Sequence, residues 1–219
     1  MAKSVMVIGL GRFGSSLAYN LFQQGYDVLG IDKDEKVVQD HLGQITYSVQ
    51  GDATDEGTLK DLGVANFDAA IVAVGTDMQV NLMASVLLAT LGVPLIIARA
   101  KDNLHAITLG RIGVHKVIYV EQEMGETLAH SLFNPDVLEY MDLTSEFGIS
   151  KIRLPDNLAE KSINEVGLGG IRDKNGVSVL AIMRGRNVTL APEKDDKLQK
   201  GDILVVAGND DQVEKLHTA

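Results

Sequence analysis

The chain is 219 residues long, 45% hydrophobic and 23% charged, with a formal net charge of -10 and no cysteine. That profile excludes a disordered or fibrous chain, and the missing cysteines exclude a disulfide framework and a thiolate metal site, leaving a reducing cytoplasm as the expected setting. The acidic balance argues against broad contact with a phosphate backbone, so nucleic acid is not an expected partner, although a helix N-terminus can hold a small anion whatever the total charge.

Met1, Ala2 and Lys3 lead straight into an apolar run, and no secretory or transit pattern is expected there. Residues 5–9, 28–32, 46–49, 69–74, 95–98 and 116–120 are short runs, most of them rich in Val, Ile or Leu. Being apolar on both faces, they suit strands of a parallel sheet covered by helices. Between them, residues 12–24, 35–42, 55–62, 78–91 and 104–112 are each long enough for a helix, with Leu17, Leu21 and Phe22 at helical spacing in the first. Gly25, Gly43, Gly63, Gly92 and Gly113 stand where a left-handed C-cap is wanted, and Asp77 and Asp102 can accept from free N–H groups at helix starts. The uncharged stretch 81–98 is cut by Gly92, Val93 and Pro94 into a helix-like and a strand-like piece, so it does not read as a membrane span. Strands alternating with helices predict an α/β fold with a Rossmann-like, doubly wound parallel sheet.

After Val120 the pattern changes. Residues 123–133 read as a further helix with Met124, Leu128 and Leu132 on one stripe, interrupted at Asn134-Pro135. Residues 137–141 read as apolar connector. Strands are expected at 151–154, 177–184, 188–190 and 203–207, with a hairpin turn at Gly185-Arg186-Asn187 and a closing helix at 211–217. The boundary falls between about 133 and 149, dividing the chain into a nucleotide-binding domain, 1–134, and a small α+β C-terminal domain, 135–219.

Gly9-Leu10-Gly11-Arg12-Phe13-Gly14 follows an apolar strand and opens a helix. Gly9 allows the tight turn, Gly11 lets backbone approach a pyrophosphate, and Gly14 lets helix pack on strand. Asp32 ends the next strand, where a carboxylate binds ribose hydroxyls and repels a 2′-phosphate, which favours NAD or an adenosine nucleotide over NADP. Arg12 sits just inside the helix N-terminus, where a fork of donors grips a terminal phosphoryl group; this tilts the reading toward ATP or ADP. Gly51-Asp52-Ala53-Thr54 and Val74-Gly75-Thr76 fall at the same carboxyl edge of the sheet, Asp52 facing a base or ribose or else serving as a cap, and Thr54 capping the next helix. Arg99 and Lys101 bring positive charge to that edge. Glu121 and Glu123 either hold a divalent cation beside a phosphate chain or simply suit a helix start. Of the histidines, His105 lies near the ligand edge, whereas His41, His115, His130 and His217 read as surface or packing residues. No nucleophile elbow, no Walker lysine and no Tyr-x-x-x-Lys pair is present, so a ligand-driven switch is expected rather than an enzyme. A small NAD-dependent oxidoreductase is the rival reading, and it lacks a proton donor beside the nicotinamide.

The ordered set Val7–Gly14, Asp32, Gly51–Thr54, Val72–Gly75 and Glu121–Gly125 resembles the RCK (KTN/TrkA-N) domain of potassium-transport regulators of the KtrA/TrkA family. Residues 170–172, 177–185 and 201–206 resemble its RCK-C (TrkA-C) module. The resemblance implies a cytoplasmic, membrane-peripheral gating subunit whose dimers assemble into an octameric ring beneath a KtrB/TrkH-like membrane pore subunit. ATP and ADP favour different ring shapes in that family, while TrkA-type members sense NAD(H). It further implies that Arg12 touches the terminal phosphate and that Asp32, Lys33 and Asp34 bind ribose. Asp52 and Ala53 would lie near the base, with Gly9, Gly11, Phe13, Gly14, Val74, Gly75, Thr76, Arg99, Ala100, Lys101 and His105 around the nucleotide. Glu121 would hold a divalent cation, Mg or Ca, between protomers. Some tails of the family bind cyclic di-AMP at their dimer interface; Arg172 and Ser178 fall near that site, with Ser178 in place of the expected asparagine.

Overall fold

A computed structural model describes residues 2–132, 136–144, 146–169, 176–209, 211–213 and 215, without the side chains of His130 and Ser131. The chain divides into two compact units, Met1–Val120 and Glu121–Ala219.

The first unit alternates strand and helix throughout: β1 (Ser4–Ile8), α1 (Arg12–Gln23), β2 (Asp27–Asp32), α2 (Glu35–Asp40), β3 (Tyr47–Gln50), α3 (Glu56–Asp61), β4 (Ala69–Val72), α4 (Met78–Thr90), β5 (Ile96–Arg99), α5 (Asn103–Arg111) and β6 (Lys116–Ile118). The strands form one parallel sheet in the order β3-β2-β1-β4-β5-β6, the doubly wound arrangement expected from the sequence. Alternation along each strand supplies both faces. Val5, Val7, Ile71 and Ile97 pack toward Leu17 and Leu21 of α1, while Met6, Ile8, Val72 and Ile96 meet Leu59 of α3, Leu88 of α4 and Leu109 of α5. Burial on two faces explains why these strands read as nearly continuous apolar runs. Gly25, Gly43, Gly63, Gly92 and Gly113 all have positive φ after their helices, and Asp77 and Asp102 accept the N–H groups of Val80 and His105 as foreseen.

The α6 helix (Val120–Ser131) follows. The second unit holds an antiparallel sheet, β10-β9-β11-β8-β7, built from β7 (Val137–Asp142), β8 (Phe147–Arg153), β9 (Ser178–Arg184), β10 (Asn187–Leu190) and β11 (Ile203–Asn209). One face of it carries Ile152, Leu204, Val206 and Ile182, packed with Ile163, Leu168 and Leu198. Three expectations need correction. Residues 137–141 are not connector but edge strand β7, whose register against β8 shifts between Val137 and Glu139 and so breaks the apolar alternation. Strand β8 begins at Phe147 rather than 151; its early inward positions are Gly148 and Ser150, too small to signal a core face, and the Tyr140 ring fills the space over Gly148. The cap of α3 is Asp55, which accepts from Thr58 N–H, and not Thr54, whose own N–H and hydroxyl are taken by Asp52. In the closing helix residues 211–213 and 215 are helical; 214, 216 and 217 lie outside the described residues, as do Phe133, Asn134 and Pro135.

Candidate functional site

The strand order reverses between β1 and β4, and the carboxyl ends of these strands open a crevice between the loops that follow them, the place where such sheets bind ligands. There a cleft of about 540 Å³ is lined by Gly9, Gly11, Arg12, Phe13, Asp32, Lys33, Asp52, Ala53, Val74, Gly75, Thr76 and Arg99, together with Ile8, Ile31, Gly51, Ala73, Asp77 and Val80. This is the size range of small-molecule sites.

The glycine-rich turn builds one wall. Gly9 has φ +89 and its N–H donates to Ile31 O at 2.8 Å, which sends the chain sharply from β1 toward α1. A Cβ at Gly14 would collide with the Gly9 carbonyl, so this glycine lets the helix sit on the turn. Gly11 differs from both: its φ is ordinary and a Cβ on it would meet nothing within 4 Å. The fold therefore does not require glycine at 11, whereas close approach of a ligand to the backbone would.

Asp32 ties the turn to β2. Its Oδ2 accepts from Leu10 N–H at 2.8 Å and its Oδ1 from Asp34 N–H at 3.0 Å. A carboxylate has further lone pairs, so these bonds orient Asp32 while leaving acceptor capacity for ribose hydroxyls. Asp52 is anchored on one oxygen by Thr54, and those hydrogen bonds, from hydroxyl and N–H, hold its carboxyl below the ordinary pKa. Arg12 opens α1, with Gly11 as the capping residue and no acidic side chain in the first turn. Among the described residues the Arg12 guanidinium has no hydrogen-bond or ion-pair partner. A free fork of donors beside unpaired helix N–H groups is matched to phosphate oxygens.

Other sequence candidates lie elsewhere. Asp34 caps α2 through Lys36 N–H. Ala100 is buried and does not line the cleft. Lys101 donates its N–H to His105 Nδ1 at 3.3 Å, which leaves the ring proton on Nε2; that atom is buried without a partner, and desolvation, opposed by Asp102, lowers the His105 pKa and keeps the ring neutral. Glu121 belongs to the second unit. No group of three or more His, Asp or Glu side chains that could hold a metal ion is present among the described residues. Ser178 opens β9, and Arg172 lies outside the described residues. Asp77 and Val80 were missed as lining residues, although the helix start after Gly75-Thr76 signalled them.

The sequence matches the TrkA-N domain over residues 5–120 and the TrkA-C domain over residues 149–218. The chain belongs to the TrkA-N family. It is 35% identical over 209 residues to Ktr system potassium uptake protein C of Bacillus subtilis, covering 95% of this chain and 93% of the relative. To Ktr system potassium uptake protein A of the same organism it is 34% identical, covering 97% and 95%. Solved structures agree in fold: the GsuK RCK domain has a TM-score of 0.55 at 24% identity, covering 99% of this chain and 46% of that one. The GsuK channel bound to NAD gives 0.53 at 24% identity, covering 99% and 38%. This TrkA-N chain thus spans less than half the length of those GsuK chains. No helix among its described residues is long and apolar enough to cross a membrane.

Proposed function

We propose that this chain is a nucleotide-binding regulatory subunit of a potassium uptake system, catalysing no reaction and setting the state of a KtrB/TrkH-like membrane pore according to whether ATP or ADP fills the cleft. The transport context comes from relatives named as Ktr system potassium uptake proteins. The observation that carries the ligand class is the open space over Gly11, beside the unpartnered Arg12 and in the same cleft as Asp32. Asp32 suits the adenosine ribose, the turn and helix N-terminus suit the phosphates, and Arg12 supplies a contact that only the longer phosphate chain reaches. Because a ligand shifts an equilibrium only through differential affinity for two states, the γ-phosphate is the group by which ATP and ADP differ as signals.

A second reading, NAD(H) sensing, is favoured by one observation: a channel alike in fold has been solved bound to NAD. Calorimetry of the full chain with ATP, ADP, NAD and NADH separates the two. Tighter binding of ATP than of the others supports the first; preference for NAD or NADH over both adenylates selects the second; no binding of any of the four overturns both.

The reading extends to assembly: homodimers that close into an octameric ring, cytoplasmic and held at the membrane through the pore subunit. A divalent cation at Glu121, sharing ligands with the nucleotide or a second protomer, belongs to the same proposal.

A further inference from the structure

Strands β4 and β5, which frame one side of the cleft, pair in parallel only as far as Val72 and Ala98. Beyond that point the chains part, and the carbonyls of Val74 and Arg99 are met by a single side chain. Asn81 Nδ2 donates to Val74 O at 2.7 Å and to Arg99 O at 3.0 Å. Asn81 lies in the first turns of α4, is wholly buried, and has no partner for its Oδ1. The two carbonyls fix the amide orientation, because the flipped amide would set oxygen against oxygen. An empty buried acceptor costs stability. A fully buried core position that accepts this cost is using both hydrogens of the amide, and Asn supplies two donors on one atom at this reach.

What the amide holds in place is the lip of the site. Val74 leads directly into Gly75, and the Arg99 guanidinium lies so close over Gly75 that a Cβ there would collide with it. Val74, Gly75 and Arg99 line the cleft, whereas Asn81 does not. We propose that Asn81 is a positioning residue of the nucleotide site: by tying the Val74 and Arg99 carbonyls together where the strands diverge, it sets the spacing between the Gly75 backbone and the Arg99 side chain, and thereby the affinity for the ligand it never touches. This inference rests on the nucleotide reading above.

Asn81→Asp keeps the side chain's shape but offers at most the single O–H donor of a neutral acid, so it cannot hold both carbonyls, while Ser85→Ala removes a buried hydrogen bond to Asn81 O from the same helix and leaves the tie intact. In the full chain, N81D should lose ATP and ADP affinity at least tenfold and S85A should stay within twofold, whatever each does to the melting temperature. If Asn81 acts through Arg99, its cost should also be less than additive with R99A in a double-mutant cycle. Wild-type affinity in N81D, a parallel fall of affinity and melting temperature in S85A, or full additivity with R99A overturns the proposal. Should N81D not fold, the wild-type Asn81 side-chain amide protons decide it: they should exchange slowly and shift on saturation with ATP, and resonances unmoved by ATP overturn it. A wild-type chain that binds no nucleotide brings down the nucleotide reading and this inference with it, whereas wild type and N81D binding alike brings down this inference alone.

Discussion

The glycines of the first turn are not equivalent, and the difference separates folding from binding at single positions. Alanine at 14 would press its methyl against the Gly9 carbonyl, which is backbone and cannot swing aside, so Gly14→Ala should lower the melting temperature sharply with or without ligand. Alanine at 11 meets nothing, and the weaker N-cap it makes for α1 offsets the gain from a stiffer unfolded chain, so Gly11→Ala should melt close to the wild-type temperature while losing nucleotide affinity in calorimetry. Equal affinity of G11A and wild type would mean that no ligand backbone comes close to this turn. Arg12 carries the discrimination between phosphate lengths. Hydrogen bonds to charged groups contribute about 1.5–3 kcal/mol, so Arg12→Ala should weaken ATP about tenfold to a hundredfold and ADP far less. Matching losses for the two ligands would remove Arg12 as the reader of the third phosphate.

At the scale of elements, the second unit leans on one polar junction. Arg184 at the end of β9 donates Nε and one terminal nitrogen to the two oxygens of Asp202, both at 2.8 Å, and Asp202 is 1% exposed and also accepts from Gln199 N–H. Burial opposes ionisation of Asp202 most strongly, but Arg184 and the Gln199 N–H together outweigh it, so the carboxyl titrates below its ordinary value. A group whose pKa is lower folded than unfolded contributes stability above the unfolded value and loses it as pH falls through the folded one. Denaturant unfolding between pH 5 and 3 should therefore show the second unit weakening below about pH 4, and Asp202→Asn should flatten that part of the profile. Arg184→Met leaves the buried Asp202 carboxylate with only the Gln199 N–H and should destabilise the second unit at neutral pH, by about 1.5–3 kcal/mol for the loss of charged hydrogen bonds. A pH profile identical in D202N and wild type would show that the junction does not govern acid stability. The same unit shows where sequence patterning fails. Strands β1, β2, β4 and β5 announce themselves because both faces are buried by helices. Strand β7 hides behind a register shift, and the start of β8 hides behind Gly148 and Ser150, whose small inward faces make room for Tyr140. In the site, the turn glycines, Asp32 and the loops after β3 and β4 were legible from spacing. Asn81 was not, because a buried amide on an apolar helix gives no periodic signal; only the divergence of β4 and β5 reveals what it binds.

For the molecule as a whole, the question is what covers the apolar surface the first unit leaves open. On the α1 side of the sheet, where α1 and α2 cover β1 to β3, a groove of about 360 Å³ lies over β4, β5 and β6, lined by Leu17, Leu21, Ile71, Leu95, Ile97 and Ile118 among others. The α6 helix, in the second unit, carries an apolar stripe of its own: Met124, Leu128 and Leu132 are 65%, 59% and 62% exposed, one above another at helical spacing. An exposed apolar stripe on a helix is a surface that a second copy of the chain could bury around a two-fold axis, as the proposed homodimer requires. The net charge of -10 works against association of two copies, so in the proposed homodimer an apolar contact would have to supply the attraction. Met124→Glu with Leu128→Glu changes side chains that are exposed in the single chain, so folding should survive. Wild type should then sediment at micromolar concentration as at least a dimer, and the double variant as a 23.6 kDa monomer. A monomeric wild type would remove the proposed homodimer, and a double variant that still associates would place its contact away from the α6 stripe.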